Sequence, residues 1–403
     1  MWPTWCEERD AAQPVAAGAL MSSVFEKRLL TRDRGAGVLR KLWQIPWLFV
    51  LLLTAVGAVG YVALYSAGSG NPDLYATKHA LRFGFCLVLM LCIGFVDIRL
   101  IAKLAPLAYF GGVGLLLLVA LHGSVGGGAQ RWIDLGPLQL QPSELMKIIL
   151  VLTLAAWFHR ASYERVGNPL FLLVPAVLIL VPVGLIFKQP NLGTALITAA
   201  LGGAMFWAAG VRWWKFAVIV VGAVVAAPIV YENLREYQRA RITTFLDPES
   251  DPLGAGYNII QSKIALGSGG LWGKGFLQGT QGHLNFLPEK QTDFIFTMIA
   301  EEFGLVGAMG TLTLLMLVVL FCFLVALRSK HQFGRLLAIG LGTNYFLYVF
   351  VNVAMVTGSI PVGGVPLPLI SHGGSAMLTT MIGFGLLISA WVHRDAEFGP
   401  AQD

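Results

Sequence analysis

From about residue 44 onward the chain is a succession of long apolar runs separated by short polar connections. Ten runs read as helices that cross a bilayer: roughly 45–66, 81–97, 104–121, 143–158, 170–187, 192–209, 216–231, 303–327, 336–356 and 376–392. A crossing helix needs about 17–25 residues. The fourth run reaches that length only by taking in Ser143, Glu144 and Lys147, and polar groups inside a span are functional candidates by default. The pattern predicts an all-α polytopic membrane protein, a bundle of about ten transmembrane helices.

Composition narrows the class. With 56% hydrophobic and 12% charged residues and a mean hydropathy of +0.71, the chain has about half the charged fraction of a soluble domain. A soluble enzyme and a disordered chain are both excluded. Four Cys are too few for a disulfide scaffold. Cys6 lies in the polar N-terminal tail, and Cys86, Cys92 and Cys322 read as small buried hydrophobes in apolar runs. No H-E-x-x-H occurs and the His are scattered, so no metal centre is predicted. The first apolar run is too long for a cleavable signal and is expected to remain as an anchor. Met21 offers an alternative start.

The net charge of +6 acquires meaning once it is sorted by membrane side. Arg9, Lys27, Arg28, Arg32, Arg34, Arg40 and Lys41 precede the first run, and the even-numbered connections hold further pairs such as Arg99 with Lys103 and Arg212 with Lys215. The odd-numbered short connections hold only Lys78, Arg131 and Lys188. The positive-inside rule then places both termini in the cytoplasm. This gives a cytoplasmic tail over 1–43, one transmembrane domain over 44–394 and a second tail over 395–403. The one long connection, 232–293, becomes extracytoplasmic, as do 122–142, 188–191 and 357–375.

Those outer stretches hold the unusual polar chemistry. In the long connection, GSGGLWGKG at 267–275 lacks the Ser or Thr after Lys274 that a phosphate loop needs, so it reads as a turned connection. Asp247 beside Pro248 reads as a turn residue. Asp293 opens the longest apolar stretch. It is either a helix N-cap or a general base at the membrane boundary. Glu301 and Glu302 follow two turns on and read as a polar extension at the interface. Glu144 and Lys147, at i and i+3, read either as an intrahelical ion pair that lowers the cost of burying each charge or as such a pair with one member also contacting a charged headgroup. Arg131, with Trp132 beside it, and Lys188, with Gln189, are either interface anchors or a cation pair suited to a diphosphate. Ser371 and His372 sit in a Pro- and Gly-rich turn without an acidic neighbour in sequence, which favours a cavity-lining turn over a nucleophile.

The runs RWIDLGPLQLQPSELMK, KQPNLGTALI, GYNIIQSKIALGSGGLWGKG, LPEKQTDFIFTMIAEEFGLVG and PLPLISHGGS occur in this order. Together they resemble the SEDS family (shape, elongation, division and sporulation), in its rod-shape branch more than its division branch. The resemblance covers about Leu39 to Arg394. It implies a ten-helix bundle that polymerises lipid II into glycan strands at the outer face of the bacterial cytoplasmic membrane. By that resemblance Asp293 is the essential aspartate. Arg131, Glu144, Lys147, Lys188, Gln189, Glu289, Lys290, Ser371 and Gly373 fall in motifs lining an outward cavity. Asn191 stands where many members carry Asp, so no acidic role passes to it.

The implied chemistry is an inverting displacement, with Asp293 as base for an acceptor hydroxyl and Arg131, Lys188, Lys290 or Lys274 stabilising the departing diphosphate. A divalent cation, Mg2+ or Mn2+, would suit the diphosphate, but no ligand cluster demands one, and no organic cofactor is expected. No S-x-x-K occurs, so crosslinking falls to a partner, which the resemblance implies is a class B penicillin-binding protein within an elongation complex. Membrane lipids are expected neighbours and nucleic acid is not. A flippase of the same lipid-linked precursor, or a scaffold, are the competing classes. The flippase would need polar groups on a path to both faces.

Overall fold

In the computed structural model of the protein, the described residues are 38–126, 129–134, 139–161, 163–189, 191–232, 234, 236–247, 255–284, 286–287, 289–361 and 363–396. Cys6, Met21, Pro248 and the basic residues from Arg9 to Arg34 lie outside them. The chain divides into two units, Met1–Ile45 and Pro46–Asp403. In the first, the described helix is α1 (Val38–Gln44). The second holds α2 (Trp47–Ala67), α3 (Ala76–Gly94), α4 (Ile98–His122), α5 (Pro142–His159), α6 (Tyr163–Gly167), α7 (Pro169–Lys188), α8 (Leu192–Ala208), α9 (Trp213–Glu232), α10 (Glu236–Leu246), α11 (Ala255–Ser268), α12 (Thr280–His283), α13 (Ile295–Arg328), α14 (Gln332–Val356) and α15 (Gly374–Val392). The 122–142 connection folds as an antiparallel sheet of β1 (Ser124–Gly126), β2 (Ala129–Asp134) and β3 (Gln139–Leu140), strands the apolar periodicity did not predict.

Eight of these helices are long and apolar enough to cross a membrane, and α8 and α9 are further apolar helices at the sixth and seventh predicted spans. The bundle is all-α apart from the small sheet. Burial separates its centre from its rim. The spans of α5, α15 and α14 are 78%, 72% and 61% buried, against 22% for α3 and 28% for both α4 and α7. Leu150, Leu154 and Phe158 on α5 meet a core that includes Leu337 and Leu341 on α14 and Met381 and Leu387 on α15. Lipid tails are as apolar as these side chains, so close packing rather than the hydrophobic effect holds the centre together. Gly385 shows the closeness. A Cβ there would lie 2.8 Å from the Met90 carbonyl oxygen of α3. The rim presents Leu107, Phe110 and Leu121 of α4 and Val218, Val221 and Val225 of α9 outward. Cys86 and Cys322 are buried as expected, whereas Cys92 is exposed on its helix.

The 232–293 connection is more ordered than a linker, carrying α10, α11 and α12. Its glycine-rich end enters α13. That helix breaks at Gly304, where φ is 66° and ψ −163°. The break frees two carbonyls and two N–H groups that a continuous helix would pair with each other. The connection supplies all four partners: Lys274 N and Gly275 N donate to the Glu301 and Glu302 carbonyls (both 3.0 Å), while Leu305 N and Val306 N donate to the Gly270 and Leu271 carbonyls (2.9 and 3.2 Å). The backbones are so close that a Cβ on Gly273 would fall 2.1 Å from the Glu302 carbonyl oxygen. Glu301 and Glu302, expected at an exposed interface, are therefore buried beneath the inserted loop (0% and 2% exposed).

Gly304 is the residue this splice cannot replace. A Cβ there would sit 2.3 Å from Gly273 N, in a left-handed conformation that already strains L residues. Gly304→Ala is expected to lower stability by at least ~1–3 kcal/mol, read as the denaturation midpoint in detergent; an unchanged midpoint would contradict the splice.

Candidate active site

Two irregular segments meet at one end of the bundle, residues 289–294 and 363–373, and their backbones are fastened to each other. Asn352 of α14 donates its amide to the carbonyls of Asp293 (2.9 Å) and Val365 (2.7 Å). Ser371 Oγ donates to the Thr292 carbonyl (2.6 Å) and accepts from Leu367 N (2.8 Å). His372 N donates to the Gln291 carbonyl (2.8 Å). Non-helical backbone at membrane depth is tolerated only with its polar groups satisfied in this way. Ser371 is thus a clamp, its hydroxyl committed to two backbone groups.

A cavity of about 480 Å³ opens beside these segments, within the range of small-molecule sites. Asp293, Glu289, Arg131 and Trp132 of β2, Glu144 in the first turn of α5 and Tyr348 of α14 line it. Gly373 and Ser375, at the start of α15, close the ring. Asp293 is not a helix cap. The N-cap position of α13 is Phe294, without a side-chain cap bond. The Asp293 side chain is half-buried and faces the 364–366 turn, its Oδ2 being 3.7 Å from where a Cβ on Gly364 would stand.

Behind Glu144 lies a closed triangle of polar contacts. Lys147 Nζ is 2.8 Å from Glu144 Oε1. Lys147 also donates to the Tyr348 hydroxyl, which in turn donates to the other Glu144 oxygen. Lys147 itself is 1% exposed. Three groups at membrane depth satisfy one another, which is how a charged pair survives there. Glu144 and Tyr348 present the triangle to the cavity; Lys147 stays behind them.

The cations expected around the leaving group part company. Arg131 lines the cavity, and its Nε donates to the Gln189 carbonyl (3.3 Å). Gln189 is buried and donates to the Leu116 carbonyl (2.9 Å), so it props the hairpin from behind. Lys188 is exposed at the end of α7 and is not on the cavity wall. Lys290 donates to the Gly282 carbonyl (2.8 Å), and burial pushes its pKa below the usual lysine value. Lys274 bonds Glu301 and Thr280 in the splice, off the cavity wall. Asn191 accepts from Thr194 N (3.4 Å) as the cap of α8.

The sequence reading passed over a different cation. Arg82, in the second span, lies 3.4 Å from His372 Nε2. Burial first, then the positive charges of Arg82 and Lys78, push the His372 pKa down to about 4. His372 is therefore neutral at physiological pH and accepts from Arg82 through Nε2. Tyr348 and Asn352 were also passed over. Asn344, Tyr348 and Asn352 recur every four residues in an otherwise apolar span, a polar stripe on one helix face. That signal and the charge of Arg82 were both available in the sequence.

A profile of the cell cycle protein family comprising FtsW, RodA and SpoVE matches residues 43–396. The peptidoglycan glycosyltransferase MrdB of Escherichia coli K12 is 42% identical over 350 residues, which cover 86% of this chain and 93% of that protein. A probable peptidoglycan glycosyltransferase FtsW of Trichlorobacter lovleyi is 35% identical over 369 residues, 87% of this chain and 95% of that one. Among solved structures, a chain from work on the coordination of polymerization and crosslinking by a peptidoglycan synthase complex aligns with a TM-score of 0.76 at 34% identity, covering 88% of this chain and 99% of that one. The rod-shape-determining protein RodA of Thermus thermophilus aligns with a TM-score of 0.67 at 30% identity, covering 88% and 98%.

The His372 environment gives a signed pH dependence. Its folded pKa of about 4 lies below the ordinary 6.5, so the unfolded state binds more protons between those values and stability falls as pH drops through that window. His372→Gln should flatten the melting-temperature profile between pH 6.5 and 4 relative to the parent. Parallel profiles would show that His372 is not held neutral by the fold.

Proposed function

This chain belongs to the family of cell cycle proteins that comprises FtsW, RodA and SpoVE; it is an integral membrane peptidoglycan glycosyltransferase, and we propose that it polymerises lipid II with Asp293 as general base. The observation that carries this reading is the treatment of Asp293. Its backbone is clamped by Asn352, while its carboxylate is left on the cavity wall and out of the helix cap. A base must be positioned as well as presented to substrate, and the Asn352 bond to its peptide group contributes to that positioning.

In this reading the donor sugar and its α-linked diphosphate enter the cavity with Arg131 beside the departing phosphate oxygens. Asp293 takes the proton of the acceptor hydroxyl as the new β-glycosidic bond forms and the bond to the diphosphate breaks. The polyprenyl chains remain in the bilayer against the apolar rim. A divalent cation would be met by Asp293 and Glu289, since Mg2+ is commonly held by one or two carboxylates plus substrate phosphates. It would neutralise diphosphate charge when bound. No group of three His, Cys, Asp or Glu ligands converges among the described residues, so the protein's share of such a site is small.

Placement in the cytoplasmic membrane, with both termini inside and the cavity outside, rests on the positive-inside distribution. Lacking S-x-x-K, the enzyme leaves crosslinking to a transpeptidase, and we assign that role to a class B penicillin-binding protein of the elongation complex.

Orientation is tested with a membrane-impermeant thiol reagent on cells carrying single cysteines. Gln278→Cys, exposed in the long connection, should label on intact cells, and Lys330→Cys, exposed between α13 and α14, only after permeabilisation. The reverse would put the cavity in the cytoplasm.

The catalytic assignment is tested by Asp293→Asn. Loss of general-base assistance typically costs ~10²–10⁴-fold in rate. The variant should melt like the parent, bind lipid II and form no glycan polymer in detergent, where there is no bilayer to flip a lipid across. Substantial polymer from folded Asp293→Asn protein would return this residue to a structural role.

A further inference from the structure

The splice in α13 lies one helical segment from Asp293, and its side chains converge on a single atom. Glu301 Oε1 accepts from Lys274 Nζ (2.8 Å), Thr280 Oγ1 (3.1 Å) and Gln281 N (3.0 Å). Lys274 Nζ also donates to Thr280 Oγ1 (2.8 Å). On the other face, Ser66 of α2 contacts Glu302, tying the same turn to the bundle. One carboxylate oxygen therefore fastens both ends of the stretch from Lys274 to Gln281. The next residue, Gly282, gives its carbonyl to Lys290, three residues before Asp293. On its C-terminal side, Asp293 is joined to Glu301 by the short helical segment before the Gly304 break.

We infer that the Lys274–Glu301 pair, with the backbone splice it locks, is a positioning device that sets where the Asp293 carboxylate stands in the cavity. The inference rests on the reading of Asp293 as the base. Lys274 and Glu301 do not line the cavity and act through the 280–293 segment and the half-helix 295–303. Asn352, Ser371 and His372 hold residues 291–293 from one side, and the splice sets them from the other. Removing the Lys274 ammonium leaves the backbone splice and the Thr280 and Gln281 bonds to Glu301 in place but takes away the contact that draws the Lys274 end of the segment onto the carboxylate. Ion pairing this deep is poor evidence for stability, so its value is expected in geometry. A displacement of about 1 Å at a reacting group can cost ~10²-fold in rate.

The experiment compares purified full-length Lys274→Met, Lys274→Arg, Thr280→Val and Asp293→Asn proteins for melting temperature and for steady-state polymerisation of lipid II. Lys274→Met should lower kcat by about 10–100-fold with KM for lipid II unchanged. Lys274→Arg, which keeps the pair, should recover most of that loss. Thr280→Val, an exposed position that removes one donor to Glu301, should lower kcat by a smaller factor at the parental melting temperature. Parental kcat in folded Lys274→Met alongside inactive Asp293→Asn would overturn the positioning role and leave the base assignment standing. A raised KM with kcat retained would make Lys274 a substrate contact and overturn it as well. Should Lys274→Met fail to fold, Thr280→Val decides alone: reduced kcat supports the device and parental kcat refutes it. Activity in Asp293→Asn would instead remove the premise.

Discussion

Backbone that is neither helix nor strand can lie at membrane depth only where it is buried in protein or lines a water-filled cavity, so that its N–H and C=O atoms are satisfied. That constraint organises the functional end of this bundle. The segment 289–294 and the turn 363–373 are both irregular, and two hydrogen bonds, from Ser371 Oγ to the Thr292 carbonyl and from His372 N to the Gln291 carbonyl, join them directly. Asn352 supplies two donors to carbonyls that have no helical partner, and the Ser371 hydroxyl bridges a carbonyl and an N–H. Replace Asn352 with an apolar residue and two buried carbonyls are orphaned at once, each at a cost of about 1–3 kcal/mol. The cavity exists because these two segments can be left unwound.

The same constraint explains the break in α13. A helix interrupted at Gly304 exposes four backbone groups, and the inserted backbone, at van der Waals distance, satisfies all four. The glycines at 273 and 304 follow from that distance. The GSGGLWGKG run is therefore neither a phosphate loop nor a flexible connector, but the inserted half of a splice.

Charge is handled in a related way. Glu144, Lys147 and Tyr348 close on one another, and Glu301 collects three donors, so these buried acids are committed to partners. Burial first, then the charges of Arg82 and Lys78, hold His372 neutral beside the cavity, which makes it a dipole there instead of a second cation. Arg131 is the charged cation among the described residues of the wall, with the hairpin and Gln189 holding it in place.

Much of this was legible in the sequence, because the bilayer enforces simple local rules. Ten apolar runs, the inclusion of Glu144 and Lys147 in a span, and the gathering of polar motifs on one side follow from hydropathy and charge alone. Spacing alone left Asp293 open between a helix cap and a base, and the family resemblance carried by the motifs singled it out. What local pattern does not encode is which partner each polar group finds. Lys147, Lys188, Lys274 and Lys290 look alike as outer or boundary cations, yet one closes a triangle, one is exposed, one locks a splice and one supports a turn. Glu301 and Glu302 read as an interfacial extension because nothing nearby in sequence says that residues thirty positions earlier will cover them. The hairpin over 124–140 and the Asn352 clamp depend in the same way on contacts between distant segments. Segment identity is set by the solvent each stretch must face, whereas the role of each polar side chain is set by the long-range partner that satisfies it, and only the tertiary structure chooses that partner.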